Sequence, residues 1–325
     1  MRNFIKICKK EQMSLKKWLE RLLKAKYKEV INGDGYLYAK GSEKCPVLLT
    51  AHMDTVHKET CKYVDIKKEK GKTILSSKQG IGGDDRCGVW IIYMILTKTK
   101  YRPSILFCED EEIGGVGSGK FVKTTYSEDL RKLKYLIELD RANPNDAVYY
   151  DCGNEEFMEY IKETIGYEKA YGSFSDISNL SPDCDVASVK LSFGYYKAHT
   201  LDEYVVFEEM LATYKATKKL LSKAKECESY DYQEERFTSM YDYYGKKYGY
   251  DNYGYTYGNW ITQSKDIDCE YEITYEIQFN DNDGKESYDI IEASNYDEAL
   301  GIFFRSHSDR CYNDIIDYWT DREVI

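Results

Sequence analysis

Two of the four histidines in this sequence, His52 and His199, stand beside acidic clusters. His52 is followed by Met53 and Asp54, and His199 lies in Ala198-His199-Thr200-Leu201-Asp202-Glu203. Three more groups come between them: Gly82-Gly83-Asp84-Asp85-Arg86-Cys87-Gly88, Glu109-Asp110-Glu111-Glu112-Ile113-Gly114-Gly115, and Asp140-Arg141. A set of His, Asp, Glu, Asp and His with a spare Glu is what two zinc-like ions need. Imidazoles and carboxylates serve as ligands, one carboxylate is shared, and a water is left between the ions. The carboxylates offset most of the metal charge, and an unligated Glu can take a proton from that water. Taken singly, each group has an ordinary explanation. An Asp pair before a helix is an N-cap, and a Glu pair on a turn is a solvated face. It is the ordered set that points to a metal centre.

The elements that must position these residues are legible nearby. Val47–Thr50, Ser104–Cys108, Tyr135–Leu139 and Val186–Leu191 are short continuous apolar runs, the pattern of strands buried on both faces. Each acidic or histidine group follows one of these runs or its connecting loop, and open α/β sheets bind ligands beyond the carboxyl ends of their strands. Met13, Leu15, Trp18, Leu19, Leu22 and Leu23 fall near one face of a helix over 11–29. Glu29–Ile31 and Tyr36–Tyr38 flank Asn32-Gly33-Asp34-Gly35, a hairpin turn. Helices are expected over Gly88–Leu96 and Tyr204–Ala224. The expected class is α/β: a three-layer α/β/α sandwich with a mixed, mostly parallel central sheet, plus a small α+β C-terminal unit.

The motifs His52-Met53-Asp54-Thr55-Val56, Gly82–Gly88, Asp110–Gly115, Glu138-Leu139-Asp140 and Ala198–Glu203 resemble, in order, the metal motifs of the co-catalytic di-zinc exopeptidases of metallopeptidase clan MH. That group includes peptidase T and carboxypeptidase G-like enzymes of family twenty, aminopeptidases of family twenty-eight and glutamyl-type aminopeptidases of family forty-two. The resemblance covers about residues 12–225. It implies that His52 and Asp140 bind one metal, that Glu112 and His199 bind the other, and that Asp84 bridges them. Asp54 would orient His52, Asp85 would be a structural neighbour, and Glu111 would be the general base. The implied cofactors are two divalent ions, zinc with cobalt or manganese as alternatives. The implied reaction is attack of a metal-activated water on a peptide carbonyl.

Lidded members of the clan insert a domain between the Asp140-like ligand and the last histidine. The interval from Arg141 to Ala198 is too short for one, which resembles the single-domain aminopeptidases of family twenty-eight and favours aminopeptidase activity. Without a lid histidine, Tyr195 and Tyr196 are the nearest groups able to donate a hydrogen bond to a scissile carbonyl. Asp176 is placed either to meet a substrate amine or to cap a helix near Ile177. Arg141 is placed to hold a substrate carboxylate or to form a structural ion pair. His57 is expected on the rim and His307 on the surface, with Cys87 and Cys108 in packing roles. Alternatives that keep the same motifs are an amidohydrolase acting on N-acyl amino acids and a non-catalytic metal-binding scaffold.

Composition limits the remaining readings. The chain has 325 residues, 42% of them hydrophobic, enough apolar material for a large core. The formal charge of −11 argues against nucleic-acid binding by the whole chain. Residues 226–325 carry about 24 acidic and about 8 basic groups, a net of roughly −16 against roughly +5 for the rest. This contrast suggests two parts with different surfaces. With the motifs and the composition, the expected division is a catalytic domain over 1–226, a Tyr/Gly/Asp-rich linker over 227–264, and a ββα-type accessory unit over 265–325 that could recruit a protein partner. Within the last part, Tyr271–Phe279 alternates as a strand, Tyr288–Ala293 reads as a second, and a helix is expected over Tyr296–Arg305. The ten cysteines are scattered with no CxxC pair, and no apolar run is long enough for a membrane helix. With no signal-like N-terminus, these features lead us to expect reduced thiols and a cytoplasmic location.

Overall fold

The structure, a computed structural model, describes residues 1–172, 174–235, 271–280, 286–293 and 315–324. It divides into a unit over Lys6–Tyr253 and a second made of Met1–Ile5 with Gly254–Ile325. Along the chain come α1 (Arg2–Cys8), α2 (Gln12–Lys24), β1 (Val30–Gly33), β2 (Tyr36–Ala39), β3 (Val47–His52), β4 (Asp65–Glu69), β5 (Lys72–Ser76), α3 (Gly83–Lys98), β6 (Ser104–Cys108) and α4 (Val116–Phe121). After a 3-10 turn at Thr125–Lys132 follow β7 (Tyr135–Arg141), β8 (Asp146–Val148), α5 (Glu155–Ile165), β9 (Glu168–Ala170), α6 (Asp176–Cys184), β10 (Ser188–Ser192), β11 (Tyr195–Tyr196), β12 (Tyr204–Val206) and α7 (Phe207–Lys223).

The apolar runs become the middle of an eight-stranded sheet of order β1-β2-β6-β3-β7-β10-β8-β9. Its four central strands, β6, β3, β7 and β10, are parallel and are buried almost throughout. Parallel strands covered on both faces need this apolar continuity, and each fully buried Leu, Ile or Val contributes about 1.5–3 kcal/mol. The flanking pairs β1–β2, β2–β6 and β10–β8 are antiparallel, so the expected mixed, mostly parallel sheet holds. Helices α3 and α7 pack together, with α5 against α7; α4 packs against α6, and α6 also meets β7 and β10. The described residues of the interval between Asp140 and His199 form β8, α5, β9, α6, β10 and β11.

Several local expectations are refined. The hairpin at Asn32–Gly35 forms with Gly33 opposite Tyr36. Helix α2 buries Leu15, Leu19 and Leu23 but leaves Met13 58% exposed. It spends part of its inner face on Lys16, whose Nζ lies 2.8 Å from Glu109 Oε2 and 2.8 Å from the Gly33 carbonyl. The helix expected from Tyr204 begins only at Phe207, because Tyr204–Val206 pairs as β12 with β5 and β11. These strands and β4 form a four-stranded sheet of order β11-β12-β5-β4.

In the second unit β13 (Tyr271–Asn280), β14 (Glu286–Ala293) and β15 (Ile315–Val324) form an antiparallel sheet of order β14-β13-β15. The two expected strands are present. The helix expected over Tyr296–Arg305, His307 and most of the tyrosine-rich linker lie outside the described residues.

One glycine lets the metal motifs approach each other. A Cβ on Gly88 in α3 would lie 2.0 Å from the Leu139 carbonyl oxygen and 2.5 Å from Asp85 Oδ1. The first turns of α3 thus rest directly on the end of β7, one residue before Asp140. Gly88→Ala should push α3 off the sheet and cost about 1–3 kcal/mol, read as a lower urea midpoint. A midpoint unchanged from the parent protein would contradict this close packing.

Candidate metal centre

The carboxyl ends of β3 and β7, the start of α3, the turn after β6 and the loop after β11 converge. His52 is the last residue of β3 and is completely buried. Its Nδ1 meets Asp54 Oδ1 at 3.1 Å, and its Nε2 meets Asp84 Oδ1 at 2.9 Å and Asp140 Oδ1 at 3.7 Å. His199 approaches the same aspartate from the other side: its Nε2 lies 3.2 Å from Asp84 Oδ2 and 3.1 Å from Glu112 Oε2. Asp84 therefore turns one oxygen toward each histidine. Glu111 Oε2 lies 4.0 Å from His52 Nε2. The His199 side chain is 54% exposed, so the cluster opens to solvent on that side.

The backbone is arranged to hold these side chains. Asp84 and Asp85 depart from helical angles at the start of α3, and the peptide bond between them is cis. Gly82 (φ 65°) before them and Gly115 (φ 64°) before α4 adopt left-handed conformations that favour glycine. Asp54 does more than orient His52. Its Oδ1 accepts the Glu111 N–H and its Oδ2 the Glu112 N–H, each at 3.1 Å. One carboxylate thus fixes a ligand ring and the backbone of the glutamate pair.

Three groups of side chains have ligand atoms close enough to share an ion: His52, Asp84 and Glu112; His52, Asp85 and Asp140; and Glu111, Glu138 and Asp140. Asp85 and Glu138 are already engaged elsewhere. Asp85 accepts the N–H of His52 (3.1 Å) and of Gly88 (2.8 Å). Glu138 accepts the Ser175 hydroxyl (2.6 Å) and the Ile177 N–H (3.2 Å). By contrast, Asp140 Oδ1 and Glu112 Oε1 are buried with no hydrogen-bond partner. Buried carboxylate oxygens in that condition fit a cation, so the donor set suits a pair of divalent ions.

Protonation follows from the crowding of acids. Burial pushes Glu111 up to about 9, with Asp140 and Glu138 adding to the rise against the opposing pull of His52. Burial and Asp84 take Glu112 to about 7, and burial foremost takes Glu138 to about 7. Asp84 is held well below the usual range because hydrogen bonds from His199 and His52 outweigh its burial. His199 rises to about 9, chiefly through its hydrogen bond to Asp84.

Two supporting roles were not visible in the sequence, those of Lys190 and Glu203. Lys190 Nζ lies 2.5 Å from Asp140 Oδ2 and 2.8 Å from Ser175 Oγ, placing a buried cation against a ligand. Glu203 accepts the N–H groups of Gly82 (2.9 Å) and Asp84 (3.1 Å) and pairs with His57 Nε2 at 2.8 Å. A lysine inside a strand carries no spacing signal that would single it out, and Glu203, though it closes the Ala198–Glu203 motif, showed no role there.

The Tyr195 hydroxyl donates to Asp84 Oδ2 (3.0 Å) and that of Tyr196 to Glu209 Oε2 (2.6 Å), so both are engaged within the protein. Asp176 is completely buried, away from any incoming amine, and the cap of α6 is Ser175, whose N–H donates to Ser178 Oγ at 3.1 Å. Arg141 Nε lies 3.9 Å from Asp146 Oδ2, the structural ion pair. Cys87 and Cys108 are buried.

Residues 36–180 match peptidase family M28. The match takes in four of the five motifs, through Asp140, and bears out the resemblance to clan MH. No curated protein sequence matches the chain. Among solved structures, the fold is similar to aminopeptidase PepT from Bacillus cereus, at 15% identity over 69% of this chain and 98% of that one, with a TM-score of 0.53. A tripeptidase from Staphylococcus aureus gives 12% identity over 70% and 98%, with a TM-score of 0.56. The TET1 peptidase of Pyrococcus horikoshii, which can assemble into a tetrahedron or a large octahedral shell, gives 14% over 70% and 99%, with a TM-score of 0.51.

Glu111, Glu112, Glu138 and His199 all bind protons more tightly in the folded chain than in the unfolded one. Between about pH 5 and pH 9 the native state holds the extra protons, so the stability they provide is lost as pH rises through this window. The metal-free protein should melt at progressively lower temperature from about pH 5 to pH 9. The rise in melting temperature on adding zinc should grow over the same range, because the ion replaces the protons. Melting curves of chelated and zinc-loaded protein test this, and a zinc effect independent of pH would contradict it.

Proposed function

We propose that this protein is a zinc-dependent aminopeptidase that removes N-terminal residues from peptides. The observation that carries the reading is the sharing of Asp84 between two ligand groups, His52 with Asp140 and Glu112 with His199, beside an unligated Glu111. The match of residues 36–180 to peptidase family M28 supports it. Bound ions would polarise the scissile carbonyl and make a water more acidic. Zinc suits the imidazole and carboxylate donors, with cobalt or manganese as substitutes.

The remaining work falls to the protein. Glu111, held by its backbone N–H to Asp54, accepts the proton of the attacking water and returns it to the departing amine. Asp54 fixes the His52 ring. Tyr195 and Glu203 hold the Asp84 side chain and backbone. Lys190 restrains Asp140 Oδ2 and leaves Oδ1 turned toward His52.

The wider assignments belong to the same reading. We read the chain as a catalytic domain over 1–226, a linker over 227–264 and an accessory unit over 265–325; the three-stranded sheet lies in the last segment, while Tyr230, Gln233 and Glu235 of the linker hydrogen-bond to the backbone of the first. No helix among the described residues is long and apolar enough to cross a membrane, and the eight cysteines among the described residues are free thiols. Both are compatible with a cytoplasmic enzyme.

Glu111→Gln removes the base and leaves every proposed ligand in place. Turnover of aminoacyl substrates should fall by about 10²–10⁴-fold, with metal content unchanged by elemental analysis. Full activity in that variant would overturn the reading. In the parent protein, free N-terminal peptides should be hydrolysed in preference to N-acyl amino acids; the opposite preference would mark an amidohydrolase.

A further inference from the structure

A pocket of about 310 Å³ is lined by Gln12, Asp54, Lys58, Arg86 and Asp110 among others, with none of the proposed metal ligands in its wall. Pockets that take small molecules begin near about 300 Å³. Two of its lining side chains end in polar atoms that the protein leaves unsatisfied. Arg86 is 5% exposed, its Nη2 donates to the Lys10 carbonyl at 3.0 Å, and its Nη1 is buried with no partner. Gln12 donates through Nε2 to Asp110 Oδ1 at 3.2 Å, which fixes the amide and leaves Oε1 buried with no partner.

One atom is a cationic donor and the other a neutral acceptor. A simple anion would satisfy Arg86 and leave Gln12 Oε1 bare, and a simple cation would do the reverse. A ligand with a carboxylate at one end and an ammonium at the other satisfies both, since a guanidinium N–H prefers a carboxylate and an ammonium has three donors to place. The lining carries both signs: Lys10 and Lys58 add to Arg86, while Glu11, Asp54, Glu59 and Asp110 provide the negative charge an ammonium seeks.

We propose that this pocket binds a small zwitterion, a free α-amino acid, with its carboxylate on Arg86 Nη1 and its ammonium on Gln12 Oε1. The site is separate from the metal ligands and goes beyond the aminopeptidase reading. It does not depend on that reading, although free amino acids are the class of product such a reaction would release. Occupancy would place a ligand against Asp54, the residue that holds both His52 and the Glu111–Glu112 backbone.

Titration calorimetry on the chelated full-length chain separates this site from binding at the metals. L-alanine and L-leucine should each bind at a single saturable site, and acetate or methylammonium alone should bind at least about tenfold more weakly. Gln12→Leu, at a partly exposed position outside the metal ligands, should weaken amino-acid binding by about tenfold or more, as should Arg86→Lys. A crystal soaked with L-selenomethionine should show an anomalous selenium peak in the pocket between these two residues. If Arg86→Lys does not fold, Gln12→Leu and the soak decide. Absence of saturable binding in the millimolar range, acetate binding as tightly as alanine, unchanged affinity in Gln12→Leu, or selenium only at the metal ligands would each overturn the proposal.

Discussion

The Asp84 carboxylate faces two imidazoles at once, Oδ1 toward His52 and Oδ2 toward His199, and most of the surrounding structure serves to keep it there. Two N–H groups on either side of the turn, from Gly82 and Asp84 itself, are gathered by Glu203, a residue more than a hundred positions away. The Tyr195 hydroxyl supports the oxygen that faces His199. Gly88 allows α3, which begins at this turn, to settle against the end of the strand that delivers Asp140. A bridging carboxylate has to be fixed from behind, because its two oxygens are committed to two different partners in front.

The same region gathers several carboxylates with little water, and the energetic problem is repulsion. The protein answers it with positive charge in specific places. His52 and His199 stand against Asp84, and Lys190 stands against Asp140, with Ser175 linking the lysine to Glu138. Asp140 Oδ1 and Glu112 Oε1 are left without a partner, one on each side of Asp84, and so are both oxygens of the buried Asp176. Under the proposed reading, protons and bound cations would compete for this one cluster.

Much of this was legible from the sequence because the informative residues are punctual. His52, Asp84, Glu111, Glu112, Asp140 and His199 follow apolar runs or their loops, and a parallel sheet brings strand ends together whatever their separation in sequence. The strands themselves were legible because burial on both faces demands uninterrupted apolar residues. What escaped was the support. Lys190 sits inside a strand that reads as apolar, and Glu203 acts across the fold on backbone N–H groups that have no sequence signature. Tyr204–Val206 was read as helix because its apolar pattern continues into α7, whereas pairing with β5 decides its conformation. Tyr195 and Tyr196 read as hydrogen-bond donors to a substrate, yet their hydroxyls go to Asp84 and Glu209, a choice only the folded arrangement makes.

The central claim is that one carboxylate organises two metal positions. Elemental analysis of the full-length protein, loaded with zinc and freed of excess by desalting, tests it most directly when done alongside Asp84→Ala. The account predicts about two ions per chain in the parent protein and loss of both from the variant, because each position loses a ligand. One ion or none in the parent, or two ions retained without Asp84, would contradict it.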